Sequence, residues 1–85
     1  MYTFIYIEYI IEIMKLGKYK HYKGRFYQVV GVAHYSETLE ELIVYRALYK
    51  IEKYGKDSLW VRPKKMFCEN VIIDGKEAPR FLFVK

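Results

Sequence analysis

The stretch LWVRP, residues 59–63, sets a large ring and a guanidinium fork two positions apart. On an extended strand Trp60 and Arg62 share one face, while Leu59 and Val61 share the other. A tryptophan beside an arginine can stack on a planar group and hold a phosphate or carboxylate through paired N–H bonds. The structural alternative makes Trp60 a core anchor and pairs Arg62 with a glutamate from residues 37–41. Spacing leaves both open. If the segment around Arg46 is a neighbouring strand, pairing across the ladder sets Arg46 beside Trp60 or Arg62. Two arginines so close need an anion between them, from the protein or from a ligand.

A second basic group lies near the start. Lys15, Lys18, Lys20, Lys23 and Arg25 interleave with Tyr19, His21 and Tyr22. In an extended segment the cations line one edge and the rings the other, which suits a phosphate backbone and stacked bases. The same pattern also serves an edge strand whose lysines keep it from pairing with other sheets.

Catalytic signals are sparse. The chain holds no GxSxG, CxxC, HExxH or glycine-rich phosphate loop. His21 and His34 have no acidic partner at a telling spacing. Glu37, Glu40 and Glu41 offer a carboxylate pair only if their loop folds over a cleft, and a solvated, capped turn is the plainer reading. The single cysteine, Cys68, excludes an internal disulfide and gives no metal-ligand pair. It reads as a small, mostly buried hydrophobe. No metal and no cofactor are expected, and the thiol suits a reduced, cytoplasmic setting.

These residues need a scaffold, and the composition supplies one. With 85 residues, 53% apolar and 19% aromatic including ten tyrosines, the chain can form one compact domain with a bias towards β structure. The net charge of +5 favours acidic partners without naming one. The opening MYTFIYIEYIIEI lacks the basic start of a signal peptide and is too short to span a membrane. Its alternation suits an added strand or helix equally. We divide the chain into an extension, residues 1–14, and a more basic domain, residues 15–85.

Local punctuation is clearest in glycines. Gly24 predicts a turn between two β-prone runs, and Gly31 a bulge in the second. Asp74-Gly75 between apolar runs predicts a hairpin, and Pro79 an edge or bulge position. SETLEELIVYRAL, residues 36–48, is ambiguous. Thr38 and Glu41 fit a capping box for a helix over residues 39–54, whereas Ile43, Val44 and Tyr45 favour a strand.

The blocks KYKHYKG, SETLEELIVYRALY, LWVRPKKMF and DGKEAPRF occur in order over residues 15–84. Together they resemble a small bacterial family known as domain of unknown function 1653. The resemblance implies an all-β, SH3-like small barrel of about five bent strands. It makes residues 36–41 a tight turn and pairs a strand over residues 42–49 with one over 59–62. His21, Glu37, Thr38, Glu40, Tyr45, Arg46, Trp60, Arg62 and Pro63 match the family's blocks. The family carries no assigned activity. Two departures stand out: the connection over residues 50–58 is longer here, and AHY replaces a basic residue before the serine.

The resulting expectation is a non-catalytic binding module for an anionic ligand, nucleic acid or nucleotide. Its ligand residues would be Arg46, Trp60, Arg62, Tyr45, His21, Glu37, Thr38 and Glu40, with Lys18, Lys20, Lys23 and Arg25 as a basic edge. One alternative is an accessory domain that docks on a protein through its aromatic face. A third is a small nucleotide-processing enzyme.

Overall fold

The structure, a computed structural model, describes residues 14–85. Seven strands and one short helix follow in order: β1 (Gly17–His21), β2 (Phe26–His34), β3 (Glu41–Ala47), β4 (Leu59–Pro63), α1 (Lys64–Phe67), β5 (Asn70–Ile73), β6 (Lys76–Pro79) and β7 (Phe81–Phe83). Five strands make an antiparallel sheet in the order β4-β3-β2-β1-β7, and β5 with β6 forms a separate hairpin. This is an all-β small domain. Among the described residues no helix is long and apolar enough to cross a membrane.

Strand alternation decides which side chains face inwards. In β3 the buried residues are Ile43, Tyr45 and Ala47, and Leu42, Val44 and Arg46 lie between them on the other face. Tyr19 from β1, Val29 from β2 and Phe81 from β7 join this buried set. Phe67 arrives from α1 and stacks flat on Phe81, with centroids 4.0 Å apart. Tyr19 meets Phe67 edge-on at 5.4 Å. Such pairs add about 0.5–1.5 kcal/mol each beyond their area burial, which matters in so small a core.

The glycine signals hold. Gly24 has φ 103 and closes the β1–β2 turn, donating its N–H to the His21 carbonyl at 2.8 Å. The β2–β3 register slips between Val29 and Gly31, leaving Val30 as the extra residue of a bulge. Asp74 (φ 49) and Gly75 (φ 79) turn the β5–β6 hairpin, as a type I′ turn requires. Pro79 ends β6, which has only β5 for a partner.

The ambiguous stretch resolves as turn plus strand. The Tyr35 carbonyl accepts from Leu39 N–H at 2.6 Å, and Tyr35 N–H donates to the Glu40 carbonyl at 2.9 Å. The Thr38 hydroxyl does accept a backbone N–H, but from Glu40 at 3.2 Å, two residues on. That bond closes a turn where a helix cap would reach further. Leu39 at φ 63 ends any helical path. The helix over residues 39–54 is therefore absent. The strand is also shorter than expected and ends at Ala47, where its N–H turns to the Ser58 carbonyl. The longer connection holds no helix either: Ile51 and Gly55 close a tight loop through two backbone bonds.

Met14, the first described residue, packs against the core. One further expectation needs correction. Cys68 is exposed: it follows the last turn of α1, and its thiol meets the Met14 sulfur at 3.8 Å. The strand-or-helix question for residues 1–13 lies outside the described residues. Among those described, β4 and β7 are the two ends of the sheet and share no ladder.

Candidate anion-binding site

The β1–β2 turn fixes the first member. His21 ends β1 opposite Phe81 of β7. Its backbone N–H donates to the Arg25 carbonyl at 2.8 Å, which fixes this residue's backbone at the end of the sheet. The imidazole leans on Tyr22 at 4.5 Å and on the Phe81 edge at 4.9 Å. Its Nδ1 accepts the Lys23 backbone N–H at 3.1 Å. The neutral ring therefore carries its proton on Nε2, where it can donate. Partial burial lowers the His21 pKa below the ordinary value, helped by the positive charges of Arg62, Arg80 and Lys23. Their charges favour the neutral ring, which can donate through Nε2.

Arg62 comes from β4 and lies over the Phe81 ring, its guanidinium carbon 5.6 Å from the centroid. Phe67 already covers Phe81 at stacking distance, which leaves the arginine the other side of that ring. The Nε of Arg62 donates to the Tyr45 hydroxyl over a long 3.4 Å. Among the described residues its fork meets no carboxylate, for the ion pairs there join Lys64 to Glu41 and Arg80 to Glu69. The alternative that pairs Arg62 with a glutamate from residues 37–41 does not occur. Arg80 bonds Glu69 at 2.9 Å, yet its Nε is buried without a hydrogen-bond partner among the described residues.

A third piece backs these two. The Tyr27 and Tyr49 hydroxyls share a 2.5 Å hydrogen bond, and Arg25 lies over the Tyr49 ring at 4.4 Å. Burial, then the bond to Tyr49, push the Tyr27 hydroxyl well above the ordinary tyrosine range, so it stays protonated. Tyr27 also meets Tyr45 and Phe81 edge-on, at 5.3 and 5.7 Å. The rings form a rigid floor for the cations above.

The sequence-based candidates divide. Trp60 and Arg62 do share a face. Trp60 pairs with buried Tyr45, donates its indole N–H to the Ser58 hydroxyl at 2.8 Å and meets Tyr54 edge-on. Arg46 is on the opposite face, because it pairs with Leu59 and not with Trp60. The expected patch of Arg46, Trp60 and Arg62 is thereby corrected: one step of register separates them. Glu37, Thr38 and Glu40 lie in the exposed turn before β3, and Glu40 rims a cavity that Arg62 and His21 do not line. The basic edge also splits. Lys18 and Lys20 lie over Phe26, 4.5 and 5.8 Å from its centroid, on the face away from Tyr19. Lys23 and Arg25 stay with His21 in the turn.

Sequence reasoning missed Arg80 and Phe81 as site members. Their signal was present in EAPRF, but only the pairing of distant β1 and β7 shows its use. A cavity of about 930 Å³ shares Phe81 with the site residues and is rimmed by Glu40, Glu41, Lys15, Lys64 and Lys65. Its charges are mixed, and Glu41 already occupies Lys64. Arg62, by contrast, has no carboxylate partner among the described residues. No group of three or more His, Cys, Asp or Glu able to hold a metal occurs among the described residues.

Comparison with known proteins fits this architecture. The family model described as protein of unknown function (DUF1653) matches residues 17–83. The crystal structure of a DUF1653 protein from Bordetella bronchiseptica is 34% identical, with a TM-score of 0.74, over 84% of this chain and 87% of that one. A search of curated proteins gave no match. The family model spans the strands that carry His21, Arg62 and Phe81, and the chain belongs to the DUF1653 family.

Proposed function

We propose that the domain is a non-catalytic module that binds an anionic ligand, a nucleotide or nucleic acid, through Arg62 and His21. The observation that carries this reading is the Arg62 fork, laid on Phe81 beside His21 and free of carboxylates among the described residues. A guanidinium so placed has donors to spare, and the His21 Nε2–H adds another. The ring-lined floor offers stacking surface beside them. We read the curled sheet as an SH3-like barrel, supported by the side-chain contact between its two end strands. The free Cys68 thiol suits a reduced compartment such as the cytoplasm.

A thermal-shift screen of mononucleotides and short oligonucleotides tests the function. A ligand at 100 times its Kd adds about 2.7 kcal/mol of apparent stability. For a domain of this size that raises the Tm by about 10 °C or more. The gain should shrink steeply with added salt. A partner whose binding ignores salt would point instead to apolar protein docking.

A further inference from the structure

The cations of this site are gathered at one point, and that geometry narrows the ligand. Arg62 lies over Phe81, whose edge meets His21; the Lys23 N–H bonds the His21 Nδ1, and the Arg80 carbonyl is bonded by the neighbouring Tyr22 N–H. A polymer needs cations spaced along a path on one face, so that successive phosphates are met in turn. Here the next cations along β1, Lys18 and Lys20, point to the other face and are laid on Phe26. Arg25 is engaged with Tyr49. The path stops after one phosphate.

Resting on the function proposed above, we infer that the site takes a single phosphomonoester on a planar ring, a 5′-mononucleotide being the type, and not a strand. The phosphate sits among Arg62, Arg80 and the His21 Nε2–H. The Arg80 Nε, buried and unpartnered among the described residues, becomes a further donor to it once the side chain shifts to expose that N–H. A buried donor left bare is costly, so a site that fills it gains doubly. The ring stacks on Tyr22, which is 40% exposed and held over His21 at a 32° tilt. Because Tyr22 N–H donates to the Arg80 carbonyl at 2.9 Å, the stacking ring and the phosphate donor are fixed to one another.

The test is calorimetric titration of the full chain with 5′-AMP, adenosine, inorganic phosphate and an octadeoxythymidylate without terminal phosphates, each at several salt concentrations. We expect 5′-AMP to bind about 10- to 100-fold more tightly than adenosine, the loss that goes with charge-assisted hydrogen bonds. Its log–log salt dependence should have a slope of roughly 1 to 2, for one phosphate. Tyr22→Ala should weaken 5′-AMP about 5- to 100-fold, as loss of one stacked base does, and leave inorganic phosphate unchanged. An octamer that binds more tightly than 5′-AMP, with a slope of about 3 or steeper, would overturn the inference while the anion-binding function stands. If none of the four binds, both fail.

Discussion

Arg62 and Phe81 belong to strands at opposite ends of the sheet order, yet the guanidinium carbon lies 5.6 Å from the ring centroid. No ladder joins β4 to β7, so side chains bring the two ends together. The Val30 bulge adds a bend to the twist natural to β-strands, and the Arg62 side chain of β4 meets the Phe81 ring of β7. Phe67 fills the space beneath. The contact that folds the sheet over is also the contact that aims the fork.

That double role sets the first prediction. Arg62→Ala should cost about 0.5–1 kcal/mol of stability, the loss of one partly exposed cation–π contact. It should cost ligand affinity about 1.5–3 kcal/mol, from charge-assisted bonds. Arg62→Lys should keep the charge and still lose most of the affinity, since a point charge cannot replace the fork. Melting curves beside binding titrations of both variants separate the two effects.

The core prediction concerns Phe67, which is 1% exposed. Phe67→Ala should destabilise by about 3–5 kcal/mol, because it removes the stack on Phe81 and leaves a cavity. For a domain this small, that approaches the whole stability. Urea denaturation should find the variant largely unfolded or with a sharply lower midpoint.

Two glycines should behave differently. At Gly17, φ is 128 and an added Cβ would meet the Phe83 ring at 3.2 Å. At Gly31 there is open space around that position. Gly17→Ala should therefore cost about 1–3 kcal/mol from backbone strain. Gly31→Ala should stay within about 0.5 kcal/mol, as surface changes do. Equal effects in thermal unfolding would contradict the strained geometry at Gly17.

Stability should depend on pH through His21. Its folded pKa lies below the ordinary 6.5. Below that value the unfolded chain binds a proton that the folded chain resists, so stability falls as pH drops from about 6.5 towards the folded pKa. Above about 6.5 the contribution is complete. Binding an anion reverses the preference, because the new negative charge favours the imidazolium. Ligand binding should then take up protons near pH 6. His21→Asn should remove the proton uptake in calorimetry run in buffers of different ionisation enthalpy.

The hairpins were legible because their signals are local. Asp74-Gly75 needs positive φ at both positions, and only a few residue types accept it. Residues 36–48 were not, since Thr38 can bond an N–H in a helix cap or in a turn; family resemblance broke that tie. The face of Arg46 was illegible for another reason. Leu42, Val44, Ile43 and Tyr45 make both faces of β3 apolar, so alternation could not say which set points in. The cluster of His21, Arg62, Arg80 and Phe81 joins four distant points of the chain. No spacing rule reaches that far.

The most direct test is a titration of the isotope-labelled full chain with inorganic phosphate, followed by NMR at the arginine Nε–Hε and histidine ring signals. The account predicts the largest, saturable shifts at Arg62, Arg80 and His21, with His21 moving towards its protonated form. Shifts centred instead on Lys15, Lys64 and Lys65, or on Lys18 and Lys20, or no saturable shift at all, would contradict it.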